Sequence, residues 1–146
     1  MNKVTLAIAA ALVLSGAAFA GETPSAEGAK VYFINLKDGD TVTSPVLIRF
    51  GLSGMGIAPA GTELPNTGHH HLFVDRPPLG QGEEGADELL YSIPADENHV
   101  HYGAGQTEAQ VELSPGTHTL QLVLGDMNHI PHDKPVTSEV ITITVH

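Results

Sequence analysis

The chain has no cysteine among its 146 residues. That excludes disulfides, thiolate metal clusters and the cysteine-linked lipid anchor of exported lipoproteins. Any stability must come from the core itself or from a bound metal. Cations are scarce as well: six Lys and Arg face 17 Asp and Glu, for a net charge of −11. Lys3 is the one charged residue in positions 1–20, so the remainder holds five basic and 17 acidic residues, a net −12. Such a surface does not suit nucleic acid or an anionic membrane, and it draws cations toward it. Gly-x-Ser-x-Gly elbows and phosphate loops are also missing, which removes the commonest sequence marks of hydrolases and nucleotide enzymes.

Long apolar runs are limited to one, residues 4–14. It follows a short polar start at Asn2 and Lys3 and precedes Ala18-Phe19-Ala20, small residues in the pattern that signal peptidase accepts. The expectation is a signal peptide over residues 1–20, cleaved after Ala20, and a protein delivered to the periplasm or secreted. The run is too short to favour a retained membrane anchor, and no later stretch is long enough to span a bilayer. Residues 21–29 are small and polar and read as a flexible N-terminal segment.

Residues 30–146 read as one β domain. Strand-like runs occur at residues 30–36, 41–44, 46–52, 69–74, 99–102, 106–113, 117–124 and 138–145, separated by Gly, Pro and Asp-Gly turn signals. Within 46–52, Val46, Ile48, Phe50 and Leu52 share one face, the period of a half-buried strand. Leu120, Leu122 and Leu124 are expected to point inward. No convincing helix follows the leader, apart from a short helical turn expected at Leu89-Leu90-Tyr91. About seven short strands with this punctuation indicate an antiparallel, immunoglobulin-like (Greek-key) β-sandwich, with a closed barrel as the alternative. The segment 75–98 is long and acidic, and a loop of that length is commonly functional or mobile. Its run Glu83-Glu84-Gly85-Ala86-Asp87-Glu88 reads as a solvated loop.

What the sequence does have is histidine. There are nine, and eight fall between His69 and His132. Residues two apart on a strand share a face. His69, His71 and Phe73 are therefore expected on the outer face of their strand, with His70 on the core side beside Leu72 and Val74. His99 and His101 share a face likewise. If the two strands pair antiparallel, side chains across the pair have Cβ atoms roughly 5 Å apart, and four imidazoles can converge on one cation. The expected ligand set is His69, His71, His99 and His101. His70, His129, His132 and Asp126 are secondary candidates, the last two histidines to cap the site from their loop. Imidazole with carboxylate suits copper or zinc; Met55 and Met127 are soft donors available to Cu(I). His118, in phase with Leu120, is expected to be a satisfied core-edge histidine, and terminal His146 to be solvated.

Gly68-His-His-His-Leu-Phe-Val-Asp75, Pro94-Ala-Asp-Glu-Asn-His-Val-His101, Gly103-Ala-Gly-Gln-Thr-Glu108, Pro115-Gly-Thr-His-Thr-Leu-Gln-Leu122 and Gly125-Asp-Met-Asn-His-Ile-Pro-His132 resemble a family of small exported bacterial proteins, domain of unknown function 4399. The resemblance spans about residues 31–145. It implies that Gly125, Asp126 and the His129–His132 motif belong with the histidine strands as one set, and it brings no assigned activity. The 75–98 segment is longer than the family's usual connection.

The function these features point to is an exported metal-binding protein, a copper or zinc carrier, buffer or sensor. Its partners would be the metal ion and a periplasmic protein. One alternative is a metal-dependent enzyme with Asp126, Asp133 or Glu108 as base. The other is a cell-envelope interaction module with structural histidines.

Overall fold

A computed structural model describes residues 21–146; the expected signal peptide lies outside the described residues. The described residues are all-β, built from nine strands: β1 (Lys30–Phe33), β2 (Thr41–Val42), β3 (Val46–Ser53), β4 (Gly56–Ile57), β5 (Thr67–Val74), β6 (His99–His101), β7 (Glu108–Val111), β8 (Gly116–Gly125) and β9 (Ile141–Val145). Two sheets result. One has the order β1-β3-β7, and the other β2-β9-β8-β5-β4, with β6 also paired to β5. Pairing is antiparallel except at β2–β9 and β4–β5. Strand β4 has only two residues and sits inside a Gly- and Pro-rich stretch, so no periodicity announces it.

The alternation within β3 has the expected outcome. Val46, Ile48 and Phe50 are buried while Arg49 between them is exposed. They meet Leu72 and Val74 of β5, Leu120, Leu122 and Leu124 of β8, and Ile141, Ile143 and Val145 of β9 in one core between the sheets. Each of these side chains contributes about 1.5–3 kcal/mol on burial, so a cysteine-free chain obtains its stability from this layer. The Lys37–Asp40 turn forms as its Asp-Gly pair predicts, with Gly39 at φ 84° and the Asp40 amide donating to the Lys37 carbonyl at 3.2 Å. It also aligns β2 beside β9: the Gly39 amide donates to the Thr142 carbonyl, and the Thr142 amide to Asp38 Oδ1, both at 2.8 Å.

The six-stranded sheet is covered on both faces. On its outer side Phe73, Val123 and Ile93 form a second apolar cluster with Leu79, so the segment between β5 and β6 lies over the sheet. It is pinned there: the Leu79 amide donates to Gln121 Oε1 at 2.9 Å, and Arg76 pairs with the largely buried Glu88. Its one helical turn is a 3₁₀ turn over Gly85–Leu89, slightly upstream of the expected Leu89-Leu90-Tyr91. No helix among the described residues is long and apolar enough to cross a membrane. Residues 21–29, expected to be a flexible segment, instead bond to residues 133 and 134. The Asp133 amide donates to the Thr23 carbonyl at 3.0 Å, and Ser25 Oγ to the Lys134 carbonyl at 2.9 Å.

His118 fastens the start of β8 to the end of β5, as a satisfied core-edge histidine does. Its Nδ1 lies 2.6 Å from Asp75 Oδ2 and its Nε2 2.8 Å from the Ser114 carbonyl, while Asp75 Oδ1 accepts the Thr119 amide at 2.9 Å. The Ser114 carbonyl and the Asp75 carboxylate raise the His118 pKa above its usual 6.5. A histidine whose pKa is raised by folding contributes stability in full below the unfolded value, and loses it as pH rises through the folded one. Stability measured by denaturant should therefore decline above pH 6.5 from this group. Asp75→Asn should flatten that decline; an unchanged profile in Asp75→Asn would remove His118 as its source.

Candidate metal centre

The β5–β8 register places His69 opposite Gly125, His71 opposite Val123 and Phe73 opposite Gln121. On the other side of β5, His71 faces His101 and Phe73 faces His99. The outer face thus carries His69 and His71 on β5 with His101 beside them on β6. A fourth imidazole arrives from the loop after β8, where His129 folds back over the sheet. His69, His71, His101 and His129 each offer a ligand atom, and these atoms all lie within 4.8 Å of one another. All six ring pairs of the quartet are close, from 4.6 Å between the His101 and His129 centroids to 5.8 Å between His71 and His129.

The nitrogens are turned toward each other. His69 Nε2 lies 3.0 Å from His129 Nδ1 and 3.1 Å from His71 Nε2. Imidazole nitrogens bound to one tetrahedral ion at about 2.0–2.1 Å lie about 3.3 Å apart. On the far side of the rings, His69 Nδ1 and His71 Nδ1 are buried with no protein partner, and His101 Nε2 is in the same state. Buried polar atoms are normally paired, so these three atoms are exceptions while the facing nitrogens pair with one another.

Two glycines make room for the rings. A Cβ on Gly125 would stand 2.7 Å from His71 Nε2, and one on Gly103 would stand 2.3 Å from His101 Cε1. Any side chain at either position displaces a member of the quartet. Gly103 opens one of the family motifs, but nothing in the sequence tied it to the histidine strands. Gly125 was legible through its place beside Asp126 in the family pattern.

Burial and mutual repulsion lower the pKa of His69, His71 and His101. Desolvation, then the neighbouring His129 and His101, lowers the His69 pKa from 6.5 to about 4, against an opposing pull from Asp126. Desolvation together with His69, His101 and His129 lowers His71 to about 2. Desolvation and His129 lower His101 also. Neutral imidazoles carry the lone pairs that a metal needs.

The remaining candidates stand elsewhere. His99 shares the outer face with His101, but the antiparallel register sets it across from Phe73, two positions away from the quartet. Its ring meets Phe73 edge-on at 4.9 Å, its Nδ1 lies 2.7 Å from Asp96 Oδ1, and its Nε2 is bonded to Arg76. His70 lies on the opposite face, 5.1 Å from the Phe50 ring, with both nitrogens unpartnered. His132 is buried, with the Leu124 and Thr67 carbonyls each 3.4 Å from its ring nitrogens. Asp126 organises the loop: its Oδ1 accepts the Asn128 and Ile130 amides at 2.8 and 2.9 Å. The expected outer face is no surface either, for His69 and His71 are both fully buried. His101 and His129 are partly exposed and mark the open side.

In the unfolded chain these histidines take up protons near pH 6.5, whereas folded His69 and His70 resist until about pH 4. A lowered folded pKa gives stability that is complete above 6.5 and drains away as pH falls through about 4. The metal-free protein should therefore lose stability steeply between those values in urea titrations. His70→Leu removes two orphaned nitrogens, so it should gain on the order of 1 kcal/mol and make the acid loss shallower. A loss of stability in His70→Leu at pH 7 would mean that an unseen partner satisfies this ring.

The family model described as Domain of unknown function (DUF4399) matches residues 48–146, which include all four histidines of the quartet. No curated protein and no solved structure matches the chain.

Proposed function

We propose that this chain, which belongs to the DUF4399 family, is a metal-binding protein whose ion sits among His69, His71, His101 and His129. The observation that carries this reading is the convergence of four ligand atoms within 4.8 Å. Two of those histidines, His69 and His71, are wholly buried, and their Nε2 atoms face each other at 3.1 Å. His118 bonds to Asp75 and Ser114, whereas the rings of this cluster turn nitrogens toward one another.

The donor set favours a transition metal. Four imidazoles without thiolate or carboxylate suit copper or zinc rather than calcium or magnesium, which prefer oxygen. Four protein ligands also complete a tetrahedron. A hydrolytic metal centre keeps a position for water, so this arrangement supports a carrier, buffer or sensor over a metal-dependent enzyme. The leader-like residues 1–20 support export to the periplasm or beyond, where a periplasmic protein would exchange the metal with this one. The immunoglobulin-like reading of the sandwich is also a proposal. It is supported by the two-sheet strand order and by the short first-edge strand β2, which runs parallel to the last strand, β9.

The test is metal content by mass spectrometry on untagged protein, beside single alanine variants. Near one equivalent of copper or zinc is expected in the wild type. His69→Ala, His71→Ala, His101→Ala and His129→Ala should each lose most of it, and His99→Ala should keep it. Wild-type protein that takes up neither metal tightly would end the metal reading. Retention in His129→Ala with loss in His99→Ala would move the site to the other end of β6.

A further inference from the structure

We propose that Thr23 and Asp126 form a latch that holds His129 in the quartet, so that the N-terminal strap, residues 21–25, governs how long the ion is retained. The functional half of this inference rests on the metal reading above. The latch itself rests on hydrogen bonds.

Three members of the quartet ride on strands whose ladders fix them: His69 and His71 on β5, and His101 on β6. His129 has no ladder. It sits in a tight loop with φ 66°, a left-handed conformation that a residue with a side chain keeps only where its surroundings hold it. Asp126 supplies most of that hold. Its amide donates to the Ile130 carbonyl at 2.9 Å and its carbonyl accepts the His129 amide at 3.0 Å. Its Oδ1 gathers the Asn128 and Ile130 amides from within the loop. A second anchor lies outside: Ser92 Oγ donates to the Asn128 carbonyl at 2.7 Å, and the Ile93 amide to the His129 carbonyl at 2.8 Å.

Asp126 is itself only 3% exposed. A carboxylate that deep needs donors on both oxygens. Its Oδ2 receives one from Thr23 Oγ1, at 2.7 Å, from 103 positions away in sequence. The rest of the strap locks Thr23 in place. The Asp133 amide donates to the Thr23 carbonyl at 3.0 Å, the Ser25 amide to Asp133 Oδ1 at 3.0 Å, and the Gly21 amide to the Leu89 carbonyl at 3.1 Å. Without the Thr23 hydroxyl, Oδ2 is buried with no donor. The carboxylate then turns to find one, the Asn128 and Ile130 amides lose their acceptor, and His129 loses its left-handed clamp. The ion keeps three ligands and leaves sooner from the open side. Thr23 is thus a positioning residue and touches no ligand atom.

The experiment compares Thr23→Val, which keeps shape and removes the hydroxyl, with Thr23→Ser, which keeps the hydroxyl. Zn2+ and Cu2+ are the probes, and release to a competing chelator gives the rate. Amide hydrogen exchange is followed on the metal-free proteins. In Thr23→Val, ion release should quicken roughly tenfold, the factor set by losing one charge-assisted hydrogen bond. Exchange at the Asn128 and Ile130 amides should rise while that of β5 and β8 stays fixed. Thr23→Ser should behave as wild type. Release from Thr23→Val at the wild-type rate would overturn the proposal, as would faster exchange throughout the sheet, which would make Thr23 a general stabiliser. If the wild type takes up neither ion, the metal reading fails on its own. The latch is then decided by exchange alone, and unchanged Asn128 and Ile130 amides in Thr23→Val would refute it.

Discussion

Burying an imidazole nitrogen that finds no partner costs about 1–3 kcal/mol, and β5 buries three imidazoles in succession. Four ring nitrogens of His69, His70 and His71 are orphaned, with the His101 nitrogen a fifth. In a domain with a margin of stability of about 5–15 kcal/mol, that sum is a large draw on what the core provides. The close packing between the sheets has to offset it, which is why this cysteine-free chain needs the continuous apolar layer running from Val31 to Val145. Three of the five orphaned nitrogens belong to the quartet, at His69, His71 and His101. Those of His69 and His71 lie on the side of the ring away from the shared contacts, and His70 stands against Phe50 on the opposite face of the strand.

The same burial decides the chemistry. Rings in contact at this depth cannot all carry charge, so desolvation and mutual repulsion strip their protons well below neutrality. An ion entering the quartet would meet His69 and His71 as rings already uncharged at neutral pH. Because an ion binds the folded arrangement and not the dispersed histidines of the unfolded chain, its binding energy is added to folding. On the proposed reading the sandwich holds the rings together against their cost, and a bound ion would add its binding energy to the stability of the folded arrangement.

How much of this was legible in the sequence depended on whether the information was local. The alternation of Val46, Ile48 and Phe50, the Asp-Gly turn at Lys37–Asp40 and the leucines of β8 obey simple periods, and these became core and turn. The sheared position of β6 does not. That His99 and His101 share a face follows from the period of two, but which of them stands beside His71 follows from register. Register is set by turn lengths and by the covering segment that seats Phe73 under His99. A slip of two residues would have placed His99 in the quartet with the same alternation. Strand β5 hid its own arrangement, because a strand buried on both faces shows no alternation from which an outer side can be read.

His129 illustrates the harder case. Its loop has no period, and its place is fixed by Asp126, whose last bond comes from Thr23 across 103 positions of sequence. Propensities cannot indicate such a contact, and the small polar composition of residues 21–29 pointed to mobility. The physics that resolves it is an accounting of donors: a carboxylate 3% exposed must be satisfied, and the loop can supply donors to one oxygen only. The second donor has to come from elsewhere in the chain, and the strap is where it comes from. The candidate centre is therefore composed in two stages. Strand register sets three imidazoles, and the fourth, on the loop, is tied through Asp126 to a single long-range hydrogen bond from Thr23.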